Sequence, residues 1–169
     1  MIVFEPSLAE GIVHGAARDN PQRLGEYRAL QDKVYELSVD KRSEGFYGVH
    51  RELMQRWGLA DVVTQASDEF PQVKPRIAQI LVAKAHSPSE EGADLSWDGQ
   101  RIGIKVRPER FSHSPSLRTF LRHEFMHIAD MLDEEFGYRQ EPLDLTPSEE
   151  TRVRERYGLL WDISIESRL

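Results

Sequence analysis

The sequence predicts an α+β fold, and three observations lead there. Apolar residues recur at helical spacing through much of the first seventy positions and again in two later stretches. The run Arg101–Val106 alternates Ile102, Ile104 and Val106 with other residues, as a half-buried strand does. Proline and glycine punctuate the boundaries between these segments.

The first twenty residues are mixed in pattern. Pro21 opens a helix to about Leu37, because proline at a first helical position forfeits no hydrogen bond, and Leu24, Tyr27, Leu30 and Val34 share its apolar face. A second helix is predicted from near Ser43 to Gly58, with Phe46, Val49, Leu53 and Trp57 inward and Gly58 closing it in the left-handed conformation. A shorter helix covers Leu59 to about Ala66. Pro71 and Pro75 mark a connection. Ile77–Ala85 suits either a short helix or a strand rich in branched residues, and the next nine residues, HSPSEEGAD, read as a loop. Leu95–Val106 reads as a hairpin turning at Asp98-Gly99. The clearest helix begins after Pro115-Ser116 and carries Leu117, Phe120 or Leu121, Phe125, Ile128 and Leu132 at packing positions. A last helix starts near Ser148 with Glu149 and Glu150 in its first turn, unless Gly158 interrupts it. Residues 1–70 thus read as a mainly helical lobe packed on a core formed by 71–169.

Hydrophobic residues at 39% and charged residues at 30% place the chain among ordinary globular proteins. With no cysteine, disulfides, thiolate metal sites and thiol nucleophiles are excluded, so any metal must be held by nitrogen and oxygen. The net charge of -7 and the lack of a basic patch argue against nucleic acid as a partner. Arg152, Arg154 and Arg156, interrupted by Glu155, read as a solvated helix face. No stretch approaches the roughly 18–20 apolar residues of a membrane span, and the N-terminus does not read as a secretory signal. A cytoplasmic location is expected.

The string His123-Glu124-Phe125-Met126-His127 concentrates the chemistry. Residues four apart on a helix lie on one face, so both imidazoles can reach one ion. Glu124 is rotated off that line, where it can approach a water on the ion and take its proton as the water attacks a carbonyl. The string resembles the HExxH signature of the zincin metallopeptidases. That resemblance implies a zincin-like domain, zinc as cofactor, His123 and His127 as ligands, Glu124 as general base, and a peptide or protein as substrate. It also implies a strand holding extended substrate, for which Arg101–Val106 is the candidate. The bond broken is not specified by the ion chemistry. A non-catalytic metal-stabilised regulatory or interaction module is the alternative.

A catalytic zinc usually has three protein ligands. The chain resembles metzincins in placing Asp133 ten residues after His123, but Asp130 stands where their pattern has a turning glycine. Asp130 falls closer to the His123 face and is expected to orient His127 or cap a local network. A resemblance to gluzincins would draw on Glu149 or Glu150 from the next helix, although acids in a first helical turn need no metal to explain them. The favoured third ligand is Asp162, set among Leu159, Leu160, Trp161, Ile163 and Ile165, where a buried carboxylate needs a cation. Gly158 would allow close approach one turn earlier, and Glu166 could support a histidine one turn later. An ion pair from Asp162 to Arg118 or Arg122 is the structural alternative. Tyr138 and Tyr157 are candidate oxyanion donors, and His113 a candidate cleft residue. His14, His50 and His86 lack partner spacing.

Overall fold

The computed structural model describes residues 1–139 and 141–169. Strand β1 (Ile2–Phe4) leads into helices α1 (Pro6–Arg18), α2 (Pro21–Tyr35), α3 (Val39–Arg56) and α4 (Asp61–Asp68). Strands β2 (Gln79–Lys84), β3 (Gly92–Leu95) and β4 (Arg101–Val106) follow, then helices α5 (Ser114–Leu132) and α6 (Pro147–Glu166). The four strands form an open sheet in the order β1-β2-β4-β3. β1 runs parallel to β2 and β2 to β4, while β3 is antiparallel to β4 at the edge. Among the described residues, no helix is long and apolar enough to cross a membrane.

The sheet is covered on one face. Ile80 and Val82 of β2 and Ile102, Ile104 and Val106 of β4 are buried, whereas Leu81, Arg101 and Lys105 between them are exposed. This is the period-two signature read at β4, now shared in register by its neighbour: Ile80 lies beside Ile102 and Val82 beside Ile104. Leu8, Ile12 and Val13 of α1, Leu53 of α3, Val63 of α4, and Leu117, Leu121, Phe125 and Ile128 of α5 join them in one core. Each such fully buried side chain contributes roughly 1.5–3 kcal/mol of apolar transfer.

Several elements depart from expectation. The opening segment is a strand and a helix, not a patternless stretch. Three residues are too short for a strand signal, and β1 is specified by pairing with residues nearly eighty positions away. α3 starts at Val39, before Ser43, and buries Val49, His50, Leu53 and Met54. Phe46 and Trp57 are only partly buried beside the core. Gly58 does take positive φ, +66°. The ambiguous Ile77–Ala85 run resolves as β2, flanked on both sides by parallel strands. In the predicted loop, Gly92–Asp94 belong to β3. The hairpin closes where Ser96 N–H donates to Arg101 O at 2.8 Å, so four residues, not two, make the turn. Asp98 Oδ1 stabilises the longer turn by accepting from Gln100 N–H at 3.1 Å. α6 continues through Gly158.

Two histidines without partner spacing in sequence are joined in space. Tyr27 OH lies 2.6 Å from His14 Nε2 and 3.1 Å from His50 Nε2, linking α1, α2 and α3. Burial pushes the Tyr27 hydroxyl up to about 12, so it remains protonated at neutral pH. Tyr27→Phe leaves buried His50 without this partner and is expected to cost about 1–3 kcal/mol. Urea unfolding should show a lower midpoint at unchanged m-value; an unshifted midpoint would mean that water replaces the hydroxyl.

Candidate metal centre

α5 begins where His113 caps it: Nδ1 accepts from Ser116 N–H at 3.2 Å, and Pro115 sits in the first turn. The helix buries Leu117, Leu121, Phe125 and Ile128. At about 100° per residue, that stripe turns His123, His127 and Asp130 to another side, with Glu124 between the two directions. α6 lies over the histidine line.

The docking of α6 is mostly polar. Ile165 is its only buried residue. Asp130, buried on α5, accepts from Trp161 Nε1 at 2.7 Å and from Arg168 Nη1 and Nη2 at 2.9 and 2.6 Å. Burial raises the Asp130 carboxyl, but these donors outweigh it and hold the group below its ordinary range. The clamp sets the last turns of α6 against α5 and carries Asp162 to the histidines.

His123 Nε2 lies 3.0 Å from His127 Nε2; Asp162 Oδ1 lies 3.0 Å from His127 Nε2 and 3.6 Å from His123 Nε2. Tetrahedral zinc with bonds of roughly 2.0–2.1 Å holds ligand atoms about 3.3 Å apart. The triangle matches that spacing. Its hydrogen bonding is also over-subscribed. One ring nitrogen carries either a proton or a lone pair, so His127 Nε2 cannot give a full hydrogen bond to both neighbours at once. A cation between the three atoms satisfies all of them, and the nitrogen and oxygen donor set suits a divalent transition metal. Burial, then the nearness of His123, lowers the His127 pKa and favours the neutral ring that a ligand requires. Glu166 Oε1 stands 3.9 Å from His123 Nδ1, on the far side of that ring from the triangle. The Trp161 and His127 rings meet edge to face at 4.5 Å.

Glu124 points elsewhere, toward the sheet edge. Its Oε2 accepts from Ala93 N–H of β3 at 2.7 Å. Burial raises the Glu124 pKa, and the Ala93 hydrogen bond offsets this only in part. The start of β3 is itself anchored. Glu91, with its side chain 4% exposed, accepts from Arg107 N–H at 3.0 Å and from Arg110 Nε and Nη2 at 2.8 and 2.9 Å.

The other candidates have other partners. Glu149 accepts from Thr146 N–H at 3.1 Å in a capping box, and Glu150 pairs with Arg154. Asp133 follows the end of α5 and accepts from Glu135 N–H. Arg118 and Arg122 pair with Glu69, not Asp162. The predicted setting of Asp162 was wrong in kind: its side chain is 50% exposed, and Leu159, Leu160 and Ile163 face outward. Their stripe belongs to the outer side of α6, so Asp162 is placed by the Asp130 clamp and not by apolar burial. A Cβ at Gly158 would meet nothing within 4 Å, so no close helix approach depends on it. Tyr138 packs on Trp161 with centroids 5.5 Å apart, whereas Tyr157 is 70% exposed. β4 has neighbours on both edges, which removes it as a substrate-holding strand; β3 is the edge beside Glu124. Sequence reasoning missed Glu91, Ala93 and Trp161. An acid just before a glycine, ahead of arginines sixteen and nineteen residues on, gave no local signal.

No protein-family model matches the chain, and neither curated proteins nor solved structures return a match. Fold and site define an α+β protein with a potential metal-coordinating cluster of two histidines and one aspartate.

Two outcomes follow from these anchors. Asp130→Ala should release α6: its backbone amides should lose hydrogen-exchange protection at least about tenfold while those of α5 keep theirs, as expected of a local opening unit. Equal protection in both helices would mean that Ile165 suffices. For Glu91, burial raises the carboxyl, but the Arg110 and Arg107 bonds bring it below its ordinary value. Its stabilisation is therefore full above the unfolded Glu value of about 4.3 and lost as pH falls through the lower folded value. Glu91→Gln should cost about 1–3 kcal/mol at pH 7, and urea titrations should show this gap closing in acid below that range.

Proposed function

We propose that the chain is a zinc-dependent hydrolase of the zincin type, acting on peptide bonds. The observation that carries the reading is the His123–His127–Asp162 triangle, with Glu124 one residue from the first ligand and facing the sheet edge. The three residues would hold the zinc, leaving a fourth position for water. When bound, zinc supplies a Lewis acid that acidifies water and polarises a carbonyl. Glu124 takes the proton of the attacking water and passes it to the leaving amine. Glu124 also accepts from Ala93 N–H of β3, the edge strand beside it. Glu91 holds that strand's start in place. The absence of cysteine fits work in the reducing cytoplasm.

One observation favours a second reading. α6 buries a single residue, so an ion joining Asp162 to α5 would staple a weakly docked helix without any catalysis.

Metal analysis of untagged protein should find about one zinc per chain, as a three-ligand site predicts. Asp162→Ala should bind zinc markedly more weakly. Glu124→Gln should keep its zinc while peptide cleavage, followed with a mixed peptide library, falls by about 100-fold or more. Zinc that raises thermal stability with no cleavage by the native protein would select the staple. Failure to take up zinc would sink both.

A further inference from the structure

An apolar groove of about 590 Å³ opens on the inner side of α6, lined by Phe136, Tyr138, Leu143, Tyr157, Gly158 and Trp161. We propose that this groove receives a large apolar or aromatic side chain of the substrate, making the enzyme selective for such residues beside the cleaved bond; this rests on the hydrolase reading above.

Continuity with the metal centre is the first argument. The Trp161 indole is a shared wall. Phe136 stacks on it at 5.1 Å with the rings 28° apart, and the same ring meets His127 at 4.5 Å. Asp162 is the next residue along α6. The second argument is the path to the groove. Tyr138 and Arg139 also line a smaller cleft of about 260 Å³ against Leu95, Ser96 and Trp97 of β3 and its turn. The Tyr138–Arg139 segment therefore borders both openings, one toward β3 and one toward α6. The third is chemistry. The size falls within the range of small-ligand sites, and the walls are mostly aromatic and aliphatic. Among the described residues no carboxylate lines the groove itself, while Glu141 lines the adjoining cleft. Its two cations, Arg139 and Arg154, oppose a basic side chain, and Arg154 is already paired with Glu150 and hydrogen-bonded to Glu141 O at 3.0 Å. An aromatic residue gains burial there with nothing left unpaired, whereas lysine would lose solvation without a counter-charge.

Gly158 makes the idea testable. A side chain there points into open space, and leucine is a better helix former than glycine, so Gly158→Leu narrows the groove without disturbing α6 or the metal ligands. The experiment measures binding of N-acetyl-phenylalanine, N-acetyl-glycine and N-acetyl-lysine hydroxamates to zinc-loaded native protein and to Gly158→Leu by calorimetry. The phenylalanine compound should bind the native protein roughly tenfold tighter than the glycine compound, a discrimination within reach of an apolar pocket. The lysine compound should bind no better than glycine. Gly158→Leu should erase the preference while its zinc content and glycine-compound affinity stay unchanged. Equal affinities in the native protein, no binding of any hydroxamate to zinc-loaded protein, or a preference that survives Gly158→Leu would each overturn the assignment. Failure of the hydrolase reading is seen separately, before any probe is added, as absent zinc or as bound zinc without cleavage of the peptide library, and it takes the groove's role with it.

Discussion

Everything at the candidate centre depends on α5 having two incompatible sides. Leu117, Leu121, Phe125 and Ile128 must leave water, and they do so against the sheet and α4. Once that stripe is buried, helical geometry alone sets the direction of every other side chain. His123 and His127 cannot reach the core and Glu124 cannot join their line. The separation between the two histidines and Glu124 is a by-product of packing.

The opposite side of α5 then needs a cover, and α6 supplies it with little hydrophobic help. A buried carboxylate is costly unless paired. Asp130 meets that demand by taking Trp161 of α6 and Arg168 just past its end. The same bonds orient the indole that walls the groove and abuts His127, and the next residue is Asp162. One polar clamp therefore positions the third candidate ligand and the aromatic wall. This coupling also explains how a helix with three outward apolar residues can hold a half-exposed carboxylate beside His127.

A second anchor acts from the sheet. Glu91 is held by Arg107 and Arg110 before the first residue of β3. Ala93, two residues on, meets Glu124. The short edge strand is thus tied at its start by an ion pair and along its length by β4. Because β4 is enclosed between β2 and β3, only the edge strand stands beside the acid.

The α+β class, the α5 helix and the shared direction of His123 and His127 were legible in sequence, because periodicity and four-residue spacing are local properties. Burial of alternate β4 residues was legible for the same reason. Asp162 was selected from sequence, but on a premise of apolar burial that its half-exposed setting corrects. β1, the edge position of β3, the Tyr27 link and the Glu91 anchor were not legible, since each joins residues far apart in the chain. The sequence by itself determined which side chains could share an ion on one helix. Only the tertiary structure decided which carboxylate meets them and which strand lies beside Glu124. Those choices depend on strand order and on where the Asp130 clamp seats α6, and no local pattern encodes either.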